Sequence, residues 1–270
     1  MKAAAFEYER SGTAAEACAL LTAGAGLAKP MAGGQSLGPM LNLRLAQPST
    51  VIDLTALAGL SEVRDEGDAV FLGANVTHAA IEDGRVPDPS RGLMPFVAAN
   101  IAYRAVRNRG TLGGSLAHAD PAADWVSTLR LLDTVYVIEG PKGKGRREVA
   151  SGDFMQAAFT TVLGADELLL GVRIAKCSAS TKFGYFKFCR KVGEFAEAIG
   201  AVLLDPARGV RRAVIGATAG APYLVQDIEG VLSGSQAAID AEVRAAGCDE
   251  PYEFQMHAVA LKRAVAQALA

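Results

Sequence analysis

The chain has 270 residues and a mass of 28.0 kDa, enough for one large domain or two unequal ones, each with its own core. Hydrophobic residues make up 50% and charged residues 21%, a balance that excludes a disordered chain. A formal net charge of −2 and a pI near 6.0 give no general attraction for phosphate backbones or anionic lipid, so neither nucleic acid nor a membrane surface is an expected partner, and any anion site has to be local.

In chain order, Thr13 with Glu16 forms a capping box, and Ala17, Leu20 and Leu21 share one face of a helix predicted over 14–23, ended by Gly24 and Gly26. A strand follows at 29–32, Gly33 and Gly34 break it, and helical spacing resumes over 37–45. Strands are expected at 51–54 and 69–73, with Asp65-Glu66-Gly67-Asp68 as a turn between them. Thr77 and Ser90 are expected caps for helices over 78–82 and 91–105. A second glycine segment, Arg109-Gly110-Thr111-Leu112-Gly113-Gly114-Ser115, then reads as a loop, and Asp120-Pro121 opens a helix running to Leu132.

Strands at 134–139 and 146–149 flank a basic turn at 141–145, and a strand at 168–174 closes this half. The composition shifts across Lys176-Cys177-Ser178-Ala179-Ser180, which sets the expected boundary between domains at 1–176 and 177–270. Beyond it lie strand-like runs at 183–188, 198–204 and 210–217 and helices over 237–246 and 252–269. The fold class is therefore α+β: a first domain mixing strands and helices, then a small antiparallel sheet with helices on it.

Cys18, Cys177, Cys189 and Cys248 are scattered, with no CxxC pair and no nearby histidine in sequence, so neither a zinc site nor an iron–sulfur cluster is expected. The opening MKAAAFEYERSG has no long apolar run, and no later stretch reaches the roughly 18 apolar residues of a membrane span; the expected location is the cytoplasm.

The chemistry concentrates in two segments, Ala32-Gly33-Gly34-Gln35-Ser36 and Thr111-Leu112-Gly113-Gly114-Ser115. Each joins paired glycines to a hydroxyl residue, a combination that lets backbone N–H groups face an anion and adds side-chain donors. The first also opens a helix, whose N-terminus carries partial positive charge. Two such loops suit the two phosphates of a dinucleotide. No GxGxxG is present, and Gly140 to Arg146 lacks the Lys-Ser/Thr pair of a phosphate loop. Gly34-Gln35-Ser36-Leu37-Gly38 is formally GxSxG, which leaves a serine hydrolase with Ser36 as nucleophile as the alternative; only His257 lies far enough downstream to be its base.

The segments AGGQSLGPMLNLRLAQPSTVIDL (32–54) and RNRGTLGGSLAHADPAADW (107–125) resemble the two FAD-binding segments of the medium, flavin-binding subunits of molybdenum hydroxylases such as carbon monoxide dehydrogenase. The same arrangement is more distantly similar to the flavin domain of xanthine dehydrogenase. KFCRKVGEFA (187–196) and the tail resemble that family's C-terminal domain, so the likeness spans the chain.

The resemblance implies an FAD-binding domain of the p-cresol-methylhydroxylase type followed by that C-terminal domain. Pro30, Met31, Ala32, Gly33, Gly34, Gln35, Ser36 and Leu37 correspond to the first FAD loop, with Gln35 where several members have histidine. Thr111, Leu112, Gly113, Gly114 and Ser115 correspond to the second pyrophosphate loop, and Asp124 to an acidic residue accepting ribose hydroxyls. Ile101 and Leu169 fall at apolar FAD contacts, Lys187 at a cation near the flavin, and Phe195 at an aromatic facing the ring. Arg107 and Arg109 are expected to brace the second loop, and His78 and His118 to be capping or satisfied polar residues. FAD would be held non-covalently. The family further implies a large molybdopterin subunit and a small 2Fe-2S subunit as partners, in a dimer of heterotrimers, with electrons arriving from the clusters and leaving to an external acceptor.

Overall fold

The computed structural model describes residues 2–270. The N-terminal unit alternates β1 (Glu7–Arg10), α1 (Ala14–Ala23), β2 (Ala28–Met31), α2 (Leu37–Asn42) and β3 (Thr50–Asp53), and its three strands form a parallel sheet in the order β1-β3-β2. Parallel neighbours require crossovers, which α1 and α2 supply. The Thr13 hydroxyl accepts from the Glu16 amide at 3.1 Å and the Glu16 carboxylate accepts from the Gly12 amide at 2.7 Å, so the predicted cap is formed and α1 begins and ends where expected. Pro30 lies on the edge strand β2, where a missing N–H costs no central ladder bond.

The second unit runs through β4 (Val63–Asp65), β5 (Ala69–Gly73), α3 (His78–Glu82), α4 (Leu93–Ala99), α5 (Arg104–Arg107), α6 (Leu112–His118), α7 (Asp124–Leu131), β6 (Val135–Glu139) and β7 (Arg146–Ala150). After a single helical turn, α8 (Ser151–Phe154), and a small hairpin of β8 (Met155–Ala157) and β9 (Thr160–Thr161), the chain returns as β10 (Leu168–Ala175). The sheet is antiparallel in the order β4-β5-β10-β6-β7, with the long β10 in its centre. The helix expected over 91–105 is two helices, because Ala102 takes a left-handed conformation (φ 45°) and breaks it after Asn100. The helix expected from Asp120 starts at Asp124, after a turn in which the Asp120 carboxylate accepts from the Ala122 amide at 3.0 Å.

The C-terminal part places β11 (Lys182–Phe188), β12 (Ala198–Asp205), β13 (Val210–Gly216) and the short β14 (Tyr223–Leu224) in one antiparallel sheet, covered by α9 (Ile228–Leu232), α10 (Gln236–Ala245) and α11 (Pro251–Leu269). Strand alternation gives this sheet two buried faces. Ile199, Ala201 and Leu203 join Trp125 and Leu129 of α7 in the main core, whereas Val202, Ala213 and Ile215 pack with Leu261 and Ala264 of α11. Helix α11 lies close on the sheet because Gly184 and Gly200 present no side chain to the Ala264 and Ala260 backbone. The C-terminal sheet is therefore fixed to α7, at whose first residue Asp124 stands.

Candidate functional site

The turn between β2 and α2 follows from its residues. Gly34 adopts φ +71°, a conformation glycine takes without cost, and the Gly33 carbonyl accepts from Gln35 Nε2 at 3.1 Å and from Arg109 Nε at 3.4 Å. Because the peptide is trans and planar, pinning that carbonyl directs the Gly34 N–H the other way. Among the described residues, the amides of Gly33, Gly34, Gln35, Ser36 and Leu37 have no acceptor within the chain, while Gly38 already donates to the Gly34 carbonyl at 2.9 Å. Five successive free donors at a helix start are a donor set suited to a phosphate oxygen cluster.

The second glycine segment differs from the expectation. It is a capped helix start: the Thr111 hydroxyl accepts from the Gly114 amide at 3.1 Å, and the Ser115 amide donates to the Thr111 carbonyl at 3.1 Å. The Leu112 and Gly113 amides point inward, to the Val76 and Ala74 carbonyls, each at 2.9 Å. They are not free for a diphosphate, because the bridge between Thr77 and Thr111 draws this strand-like entry into the protein's own ladder. Its glycines serve close approach instead. A Cβ on Gly113 would stand 2.4 Å from the Ala74 Cβ and 2.7 Å from its Cα. Gly114 and Ser115 keep some exposure, whereas Thr111, Leu112 and Gly113 are buried.

The two segments meet directly. A Cβ on Gly33 would fall 1.8 Å from the Arg109 carbonyl oxygen, so the first loop is seated on the backbone leading into the second. Arg109 braces the first loop and not the second. Arg107 does not touch the second loop either; its guanidinium is held by Glu82 and donates to the Ile101 and Ala102 carbonyls.

Asp124, Lys187 and Tyr185 form a buried network between α7 and β11. The Tyr185 hydroxyl donates to one Asp124 oxygen at 2.7 Å and Lys187 Nζ to the other at 2.9 Å, and Lys187 also donates to the Asn100 carbonyl at 2.9 Å. The ion-pair side chains are only 8% and 7% exposed. Both Asp124 oxygens thus have partners within the chain, and the network ties α7 to β11. Burial pushes the Asp124 carboxyl up, against the pull of Lys187. Burial, then the Asp124 charge, pushes the Tyr185 phenol well above its ordinary value and keeps it a neutral donor. The sequence reading missed Tyr185, although its i, i+2 spacing to Lys187 on one strand puts both on the same face.

Ile101 is half-buried beside the main core, and Phe195 is 65% exposed. Leu169 is buried in the main core. His78 is buried, accepts from the Trp125 indole at 3.0 Å on Nδ1, and has its pKa lowered to about 4 by burial and by Arg107. It is a satisfied polar residue, as expected; His118, in the last turn of α6, lies near the Phe159 ring.

The hydrolase geometry is missing. The Ser36 side chain makes no hydrogen bond among the described residues, and His257 is buried in the C-terminal part with its ring nitrogens facing the Glu253 and Gly216 carbonyls. Cys248, Glu253 and His257 place ligand atoms within 4.8 Å of one another, and burial and Glu253 push the Cys248 thiol up to about 12. A groove of about 460 Å³ beside Phe188, Cys189, Tyr252 and Met256 contains none of the expected cofactor residues.

A family model described as the FAD binding domain in molybdopterin dehydrogenase matches residues 4–176, a stretch that includes both glycine segments. The chain belongs to that family. It is 39% identical over 240 residues to the nicotine 6-hydroxylase medium subunit of Paenarthrobacter nicotinovorans, covering 87% of this chain and 83% of the relative. It is 33% identical to the carbon monoxide dehydrogenase medium chain of Afipia carboxidovorans, covering 98% of this chain and 97% of that one. A solved carbon monoxide dehydrogenase from Hydrogenophaga pseudoflava superposes with a TM-score of 0.90 at 31% identity, covering 100% of this chain and 99% of that chain. Quinoline 2-oxidoreductase from Pseudomonas putida 86 superposes at 0.84 with 26% identity, covering 99% and 98%. The α+β fold read from the sequence is the fold of this family, and the chain is an FAD-binding oxidoreductase subunit of the molybdenum hydroxylase type. No helix among the described residues is long and apolar enough to cross a membrane.

Proposed function

We propose that this chain holds one FAD non-covalently, with its diphosphate on the turn at 33–37, and serves as the electron-transfer subunit of a three-component molybdenum hydroxylase. The observation that carries the reading is the run of five amides without acceptors, seated by Gly33 on the Arg109 carbonyl. FAD supplies the redox chemistry when bound. The chain's own residues bind and orient: the amides from Gly33 to Leu37 meet the phosphate charge, the backbone of Arg109 and Gly110 seats that turn, and Ile101 and Phe195 offer apolar surface for the ring. Residues 1–176 are the FAD-binding part and 177–270 the C-terminal domain that Asp124 and Lys187 tie to it.

In this reading a 2Fe-2S partner delivers electrons, a large molybdopterin partner carries the substrate chemistry, and an external acceptor receives the electrons. The assembly is a cytoplasmic dimer of heterotrimers. Support comes from relatives that are named as medium subunits or chains. The test is isolation of the intact assembly by a tag on this chain, followed by metal analysis and identification of the co-purifying chains. Two further polypeptides together with molybdenum and iron are expected. A flavin-containing chain that purifies alone without either metal would refute the assembly.

A further inference from the structure

Between α4 and α5 the chain makes a turn, Asn100–Ala102, whose three carbonyls are each held by a cation. Lys187 Nζ takes the Asn100 carbonyl at 2.9 Å, and Arg107 Nη1 takes those of Ile101 at 3.0 Å and Ala102 at 2.9 Å. Neither cation is free to wander. Lys187 is fixed by Asp124, while the remaining Arg107 nitrogens are fixed by Glu82, Nε at 2.7 Å to Oε2 and Nη2 at 2.9 Å to Oε1. The Arg107 and Glu82 side chains are 12% and 18% exposed, so the fork is largely shielded from water.

A planar guanidinium with both edges occupied is a rigid spacer, which a lysine cannot imitate. It holds a strained conformation, since Ala102 has φ 45°. The turn is also where the C-terminal part leans on the FAD-binding part. Gly193, at φ +89°, lies so close that a Cβ there would be 2.6 Å from the Ala102 carbonyl oxygen. The 192–195 segment that carries Phe195 is thus seated on a turn whose shape Arg107 dictates.

We propose that Arg107, oriented by Glu82, is a positioning residue for the flavin end of the site: it fixes the 100–102 turn and, through it, sets the Ile101 side against the Phe195 side. This rests on the proposed FAD reading. A purely structural ion pair would change stability alone. A positioning pair also changes how the cofactor is held after the fold has formed.

The experiment compares wild type with Arg107→Lys and Glu82→Gln in the purified complex, stripped of flavin and titrated with FAD. Amide hydrogen exchange, flavin fluorescence and the flavin midpoint potential are followed. In the wild type, FAD should slow exchange at both 33–37 and 100–103. In Arg107→Lys, protection at 33–37 should persist, protection at 100–103 should be lost, the potential should shift, and FAD should bind at least about tenfold more weakly, as expected for loss of charge-assisted hydrogen bonds. Glu82→Gln should give the same pattern more weakly, because the guanidinium remains but loosens. Unchanged exchange at 100–103 with unchanged potential in both variants would overturn the proposal. So would loss of protection throughout β10 in both, which would mark the pair as general scaffolding. Wild type that shows no FAD protection at 33–37 would refute the underlying FAD reading instead.

Discussion

Replacing Gly33 by alanine tests whether the two glycine segments must touch. The added Cβ would stand 1.8 Å from the Arg109 carbonyl oxygen and 2.6 Å from its carbon. Ordinary contact lies at about 3.5 Å, so the loops must separate by roughly 1.7 Å or distort. The obstructing atoms are backbone and cannot rotate away, which places the cost at about 3 kcal/mol, the upper part of the overpacking range. If that cost falls on the FAD-competent arrangement, retention weakens about 100-fold. If it falls on the fold, the melting temperature drops by roughly 6–12 °C. Gly38→Ala is the comparison: nothing lies within 4 Å of its Cβ position, and alanine in a helix should be neutral or stabilising by up to about 1 kcal/mol. Both variants are melted and assayed for FAD by absorbance after ultrafiltration. Gly33→Ala with wild-type flavin content and wild-type melting would refute the reasoning.

Lys187→Met leaves the Asp124 carboxylate buried without its cation and should destabilise the chain by about 3–5 kcal/mol in urea denaturation, with part recovered in the Lys187→Met/Asp124→Leu double variant; a loss below about 1 kcal/mol would contradict the anchor role. His78, lowered from 6.5 to about 4 in the folded chain, favours the unfolded state only once protons bind, so its contribution is fully present above pH 6.5 and is lost as pH falls towards 4. The span corresponds to about 3 kcal/mol, and a pH series of urea melts should lose this slope in His78→Gln; parallel curves would disprove it. A serine-directed phosphonate should leave Ser36 unlabelled, since no base approaches its hydroxyl, and stoichiometric labelling would revive the hydrolase alternative.

Local signals were legible where one residue decides the outcome. The Thr13 and Thr77 caps, the glycine break after β2 and the strand at 198–204 each follow from nearest neighbours in sequence, and the structure bears them out. The segment at 109–115 was not, because a GG pair looks the same whether it bares amides or permits close packing. The difference lies in Ala74 and Val76, some forty residues away, whose carbonyls take the Leu112 and Gly113 amides. The same holds for Asp124. A lone acid at a helix start carries no sign of the strand that delivers Lys187 and Tyr185, 63 and 61 residues later. The split of the helix expected over 91–105 falls at Ala102, whose carbonyl and that of Ile101 accept from Arg107, contacts that no local pattern announces.

The most direct test is the flavin content of the freshly purified complex, measured as FAD released on denaturation against the amount of this chain. About one FAD per chain is predicted, lost on exchange of Gly33 for valine. Complex that is intact, contains its partner chains and releases no FAD would contradict the assignment of residues 33–37 to a dinucleotide diphosphate.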